Sequence, residues 1–432
     1  MNNKKKVAFY TLGCKVNQYE TNAMEQKILE AGYEIVEFNK KADIYIVNTC
    51  TVTNMSDKKS RQILRRAKMK NPEAIVVAIG CYAQVSKEAL EEIEEVDLIL
   101  GNNEKKDIIK YLEEYIQNNS QNTHLEDVLH QNEYLDFGSI TYSEKTRAVI
   151  KIQDGCDRFC SYCIIPYTRG KVRSRNIDSI IKEIKEISNK GIKEVVITGI
   201  HIASYGKDFE KDIKLIDLLE NINKIDGIER IRLGSIEPTI IDGEFISRLE
   251  KLEKICHHFH LSLQSGCDET LKRMNRRYTI KEFENGVTLL RNTYKDVILT
   301  TDIIVGFPAE TEEEFNITYE FLKKIKFYKI HVFKYSMRSG TKAAKMEKQI
   351  LENVKESRSK KIIELSLKQQ KEYNEEYIGK KVKVLFEEKS DEFVQGHTDN
   401  YILVKINEDI LENDICDVKI IKAEPEYVIG GK

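Results

Sequence analysis

The chain has 432 residues, which at about 150 residues per domain allows two to four domains. Hydrophobic residues make up 41%, enough for packed cores, so a mainly disordered protein is excluded. Lys+Arg 69 against Asp+Glu 71 leaves a net charge of −2, so any grip on nucleic acid or anionic lipid must come from local patches.

No run approaches about 18 consecutive apolar residues, and the lysine-rich start leads into a short strand without a cleavage site. A cytoplasmic location with no membrane partner is expected. Nine cysteines in such a chain point to metal or redox chemistry and not to a disulfide framework.

Residues 6–12 read as a strand and 17–30 as a helix closed by Gly32. Strands at 43–48 and 74–79 alternate with helices at 56–70 and 86–95, which predicts a parallel α/β sheet domain over 1–116. Residues 117–141 lose periodicity and become Asn/Gln-rich, so a linker is expected there. Six further strand-like runs follow, at 149–153, 194–198, 230–234, 258–264, 297–305 and 329–335. With intervening helices they predict a partial (β/α)6 barrel over 142–373, with its chemistry at the carboxyl ends of the strands. An open doubly wound sheet shares that periodicity. After a polar helix from 352, short strands at 381–386, 393–397, 401–404 and 417–421 follow without helices between them. They predict a small antiparallel β-barrel over 374–432, either an RNA grip or a β extension with no ligand. The expected fold class is therefore α/β multidomain.

Three strands of the first series end in cysteine: Leu12-Gly13-Cys14, Asn48-Thr49-Cys50 and Ile79-Gly80-Cys81. In a parallel sheet the carboxyl ends share one edge, so the three thiols converge despite their distance in sequence. Three thiolates fit an iron–sulfur cluster with one iron free of protein, or a zinc ion with an open position; buried structural cysteines are the bland alternative. Residues 156–163 carry a compact triad, Cys156-x3-Cys160-x2-Cys163, at the exit of the first strand of the second series. A closed zinc site needs four ligands, and no further Cys or His follows until His201. Three cysteines on one loop can instead hold three corners of a [4Fe–4S] cube and leave the fourth iron for an amino and a carboxylate group. Cys256, Cys267 and Cys416 lack partner spacing and read as ordinary thiols.

The compact triad, with Tyr162 before its third cysteine, resembles the motif of the radical S-adenosylmethionine superfamily. Ile164-Ile165-Pro166-x2-Arg169-Gly170, Ser174-Arg175, the three strand-end cysteines with Ala83-Gln84, and Leu263-Gln264-Ser265-Gly266 are similar to its methylthiotransferase family. So are residues 302–308 and Tyr335-Ser336-x-Arg338-x-Gly340-Thr341, and the tail resembles the TRAM RNA-binding barrel. Gly13-Cys14-Lys15-Val16-Asn17 looks like the branch acting on threonylcarbamoyladenosine in tRNA. The other branches act on isopentenyladenosine in tRNA and on an aspartate of a ribosomal protein.

The resemblance implies two [4Fe–4S] clusters, at Cys14, Cys50 and Cys81 and at Cys156, Cys160 and Cys163, together with S-adenosylmethionine used twice, as methyl donor and as radical source. It implies insertion of a methylthio group at C2 of the modified adenosine beside the anticodon, with a reducing electron donor and no catalytic residue beyond the clusters. Tyr162, Thr198, Gly199, Ser235, Glu237 and Gln264 are the expected cofactor contacts. Thr198-Gly199 departs from the superfamily's usual Gly-Gly-Glu. RNA contacts are expected from Arg61, Arg65 and Lys68, which share a helix face by spacing, and from Arg169, Lys171, Arg173 and Arg175. A zinc-stapled RNA-binding protein without catalysis is the rival from another class.

Overall fold

β-branched runs alternating with helices build the first domain around a six-stranded parallel sheet. Its strands are β1 (Lys6–Thr11), β2 (Glu34–Val36), β3 (Ile44–Thr49), β4 (Ile75–Gly80), β5 (Leu98–Leu100) and β6 (Asn122–His124), in the order β2-β1-β3-β4-β5-β6. The computed structural model describes residues 4–118, 122–141 and 146–431. Helices α1 (Lys15–Glu30), α2 (Asn54–Lys70), α3 (Cys81–Val85), α4 (Lys87–Glu91) and α5 (Ile108–Asn118) cover both faces. Every residue of β3 is buried, which explains why it reads as a continuous apolar run and not as an alternation. Tyr45, Val47 and Val76 pack with Leu64 of α2 on one face, while Ile44, Ile46 and Val77 pack with Met24 of α1 and Leu112 of α5 on the other. The stretch expected as a linker contributes β6 to this sheet, and its Val128 and Ile140 are buried.

The second domain has β7 (Arg147–Asp154), helix α6 (Ile165–Arg169), a two-residue β8 (Arg173–Ser174), and then β9 (Glu194–Gly199), β10 (Arg230–Leu233), β11 (His258–Gln264), β12 (Ile298–Val305) and β13 (Lys329–Lys334). Six of these strands are the six expected, all parallel where they pair, and β8 runs antiparallel on the edge of β7. The wall is incomplete: β10 and β11 belong to separate sheets, linked by isolated bridges at Ile231–Ile255, ahead of β11, and Ile236–Leu261, beyond β10. This makes a partial barrel. Ile150, Ile152, Val195, Ile197, Leu261 and Leu263 belong to its large hydrophobic core. Alternate positions such as Lys151, Gln153, Arg232 and His260 carry polar side chains to the other face of the wall, along with Val149 and Val196.

The third domain closes β14 (Lys381–Lys389), β15 (Val394–Thr398), β16 (Leu403–Ile406), β17 (Ile415–Ala423) and β18 (Val428–Gly431) into a barrel. It is not wholly antiparallel as expected: β18, which the sequence reading omits, pairs parallel with β16 to close the ring. The barrel docks on the amino-terminal part of the central strands. Arg230 donates to the carbonyls of His397 and Lys383, each at 3.0 Å, and Arg232 to that of Asp399 at 2.8 Å. Tyr401 stacks between His258 and His397, with ring centroids 4.5 and 4.6 Å away, and the Arg232 guanidinium lies 5.0 Å from its ring.

Tyr401→Ala removes both stacks and the cation contact, a loss of about 2 kcal/mol at the docking face. Hydrogen exchange in β15 and β16 and proteolysis near residues 376–380 should both accelerate, with the central domain unchanged.

Candidate metal centres at the domain interface

Parallel register brings the first three cysteines together. Thr49 pairs with Gly80, so Cys50 and Cys81 leave neighbouring strands at the same level. Gly13 and Gly80 turn the chain with φ of +97° and +105°. A Cβ on Gly13 would stand 2.8 Å from the Cys50 sulfur, so only glycine admits that approach. Cys50 and Cys81 are buried and Cys14 is exposed; all three are free thiols. Burial pushes the Cys50 thiol up to about 11, with Cys81 and Cys14 adding their charge repulsion. Asn102 lies with its amide nitrogen 3.7 Å from the Cys81 sulfur and donates to the Thr168 carbonyl of the second domain at 2.8 Å.

The second triad sits on the loop after β7. Gly155, at φ +69°, passes so close that a Cβ would come within 1.7 Å of the Lys171 carbonyl oxygen. The Cys156 amide donates to the Gly170 carbonyl at 3.0 Å, and the Cys163 amide to the Cys160 carbonyl at 2.9 Å. Residues after β11 clasp this loop from outside: Ser161 Oγ donates to the Arg273 carbonyl at 2.8 Å and Asn275 to that of Phe159 at 3.0 Å. Arg276 directs a guanidinium nitrogen at the Cys160 sulfur, 3.3 Å away. Burial raises Cys163 to about 12 and Cys156 to about 11, and the neighbouring thiols add to both.

Burial favours the neutral thiol at Cys50, Cys156 and Cys163, and metal binding turns such thiols into thiolates by displacing their protons. A single tetrahedral zinc has bonds of about 2.3 Å and draws its sulfurs to about 3.8 Å from one another. Among the described residues, the one group of three or more ligand atoms mutually within 4.8 Å is His257, Asp296 and Asp399, at the docked barrel. Neither cysteine triad is drawn in that tightly. Each offers three free thiols, the donor set of a cluster with one iron open.

Around the compact triad, Tyr162 is half-buried and meets Phe307 edge-on at 6.4 Å, beside Met274 and Tyr335. Thr198 is buried, and the Gly199 backbone abuts Gln153. Burial opposes ionisation of Glu237, yet His201, Arg276 and Arg158 hold its carboxyl down at about 2. Ser235 is exposed, and Gln264 takes φ +67° where the β11–β12 register shifts. The sequence reading misses Asn102, Gln153, Arg158, His201 and Arg276. The run Arg273-Met274-Asn275-Arg276-Arg277 offered a signal, but its cations carry no ligand spacing.

The second expected RNA patch is corrected. Arg169, Arg173 and Arg175 are buried, with only Lys171 of that group exposed. Arg169 binds Glu20 at 2.7 Å, Asp154 at 3.1 Å and the Asn17 side chain at 2.7 Å. Lys151 joins Glu20 and Asp154 at 2.7 and 2.6 Å, and Lys105 binds Glu20 at 2.5 Å. Arg173 donates to the Arg169 carbonyl, and Arg175 pairs with Glu183 and the Tyr19 hydroxyl. These cations lock α1 of the first domain onto the second. On the other patch Arg65 is exposed, Arg61 donates to the Tyr82 hydroxyl at 2.7 Å, and Lys68 pairs with Asp97 at 2.7 Å. A separate clasp lies beyond β13, where Arg338 binds Asp57 and Asn54, both at 2.7 Å, just past Cys50.

Residues 150–322 match the Radical SAM superfamily, 6–101 the uncharacterized protein family UPF0004 and 375–431 the TRAM domain. The chain is 42% identical to the threonylcarbamoyladenosine tRNA methylthiotransferase MtaB of Bacillus subtilis, covering 98% of this chain and 95% of that one. The chain belongs to the radical S-adenosylmethionine methylthiotransferase family. Methylthiotransferases of this family use S-adenosylmethionine and [4Fe–4S] clusters. A more distant relative, the tRNA-2-methylthio-N(6)-dimethylallyladenosine synthase of Clostridium tetani, is 36% identical over 95% of this chain and 93% of its own. The fold is shared with the radical S-adenosylmethionine methyltransferase TsrM from Kitasatospora setae, at a TM-score of 0.57 and 16% identity over 77% of this chain and 75% of that one. No helix among the described residues is long and apolar enough to cross a membrane.

Glu20 has no solvent to fall back on, and Arg169, Lys105 and Lys151 hold its carboxyl well below the ordinary range against the cost of burial. Glu20→Gln leaves three cations short of a partner and should cost about 3–5 kcal/mol at neutral pH. A depressed carboxyl contributes its stability above the unfolded-state pKa of about 4.3 and loses it as pH falls towards the folded one. The gap between wild type and variant in thermal unfolding should therefore be full at pH 7 and shrink on acidification below about pH 4.

Proposed function

We propose that the chain is a tRNA (N6-L-threonylcarbamoyladenosine(37)-C2)-methylthiotransferase. The observation that carries this reading is the pair of three-cysteine sites joined across one interface by the Cys81–Asn102–Thr168 connection. The higher identity to the threonylcarbamoyl enzyme, 42% against 36% for the dimethylallyl enzyme, favours this substrate.

Cys156, Cys160 and Cys163 would hold one [4Fe–4S] cluster, and Cys14, Cys50 and Cys81 the other. When bound, the first with S-adenosylmethionine would supply a radical able to take hydrogen from an unactivated aromatic carbon, and the second would be the place where the methylthio group is joined to that carbon. The protein's part is placement. Tyr162 and Phe307 form an aromatic wall beside the compact triad, suited to an adenine ring. Glu237, kept ionised and held from three sides, is positioned for the polar part of the cofactor, with His201, whose amide donates to Gln153 at 2.7 Å. Thr198 and Gly199 lie at the next strand exit, and Gln264 two strands further on. Arg65 and Lys171, with Lys58, Lys59 and Arg66, are the exposed cations left for tRNA phosphates, together with the C-terminal barrel. A reducing electron donor completes the reaction in the cytoplasm.

Anaerobically loaded protein should hold about eight irons. Cys50→Ala and Cys160→Ala should each keep about half, and Cys256→Ala all of them, by iron analysis. Expressed in a host without its own methylthiotransferases, the chain should yield methylthio-threonylcarbamoyladenosine in tRNA by nucleoside mass spectrometry, and either cluster variant should abolish it. Methylthio-isopentenyladenosine in its place would overturn the substrate assignment and keep the reaction.

A further inference from the structure

Beside Cys14 the three domains line an open cavity of about 630 Å3. Cys14, Lys15 and Gln18 line it from the first domain, Arg147 and Val196 from the second, and Tyr401 from the third. Its size suits a small organic group. Its charges are largely spoken for: Arg147 pairs with Glu387 at 2.7 Å, Arg232 behind it with Glu194 at 2.7 Å, and Glu388 accepts the Gln395 amide at 2.6 Å. Lys15 differs. It stands among Arg147, Arg232 and Glu194, yet no carboxylate among the described residues lies within ion-pair distance of its ammonium. It is also the first residue of α1, whose opening turn carries no acid. An exposed cation on a cavity wall, next to a guanidinium pair and the positive end of a helix, is matched to an anion supplied from outside.

We propose that Lys15 reads the carboxylate of the threonylcarbamoyl group and so selects this nucleoside over one with an uncharged N6 substituent. The inference rests on the proposed function and deepens it. C2 and N6 flank N1 on the same edge of adenine. A base that presents C2 to the Cys14 side of the first triad therefore carries its N6 arm into the space beside that cysteine, where Lys15 stands. The threonyl carboxylate is the one charged group on that arm, and a charge-assisted bond from the Lys15 ammonium favours it over a neutral substitute. Val196 and Tyr401 offer apolar surface to the rest of the group.

The test uses protein loaded with both clusters and anticodon stem-loop RNA carrying threonylcarbamoyladenosine or its methyl ester. The ester changes the RNA and not the protein, so the comparison stands even where a variant folds poorly. Wild type should bind the acid at least about tenfold more tightly than the ester by fluorescence anisotropy. Lys15→Gln should bring that ratio close to one, and Lys15→Arg should keep most of it. Retention of the wild-type ratio by Lys15→Gln overturns the role of Lys15. So does a wild type that methylthiolates the acid stem-loop without preferring it to the ester, and in that case the proposed function stands. A wild type that gives no methylthio product from the acid stem-loop overturns both.

Discussion

Five buried charges, Glu20, Lys105, Lys151, Asp154 and Arg169, hold the first two domains in one arrangement, and both cysteine sites depend on it. Such a lattice is a poor source of net stability, because desolvating each ion offsets most of the attraction. Its value lies in direction. An apolar seam tolerates sliding, whereas a carboxylate shared among two lysines and an arginine accepts few geometries. Arg169 and Lys105 also lie within electrostatic reach of Cys81, so the lattice places positive charge beside a site that becomes negative once its thiols ionise.

The other fastenings follow from this one. With α1 set against β7 and α6, Arg338 can reach the residues just after Cys50, and Asn102 can reach Thr168. The C-terminal barrel attaches through arginines near the amino ends of the central strands, far along each strand from the exits that carry the compact triad. Its attachment combines arginine bonds to backbone carbonyls with the Arg147–Glu387 ion pair, and Tyr401 adds a stacked plug.

The sequence made the architecture legible wherever a strand was long and buried. β3, β4 and the six central strands announce themselves as β-branched runs, and cysteine at equivalent exits places the first triad before any coordinate does. The three-residue β2, β5 and β6 are shorter than the pattern that identifies a strand, and β6 takes a polar Asn-Thr-His segment into the sheet by backbone pairing, with Thr123 donating to Glu91 and His124 packed on Tyr111. Misreading Arg169, Arg173 and Arg175 has a plain cause. A cluster of arginines looks the same in one dimension on a surface or in a lattice, and their partners Glu20 and Glu183 lie far from them in sequence or out of register. Lys15 shows the reverse case: an ordinary residue in the chain, made unusual only by what the other two domains bring near it.

Because the two sulfur sites are fastened at Glu20, Thr168 and Arg338 together, the space between them behaves as a gauge of set width and not as a jaw. Whatever reacts there must come to the gauge. A nucleobase within a stacked duplex would have to be torn from two neighbours and a partner before it could enter, whereas an unpaired loop nucleotide has only its stacking to lose. The rigidity of the protein thus shifts the burden of distortion onto the nucleic acid, and hairpin loops become its cheapest source of a swung-out base.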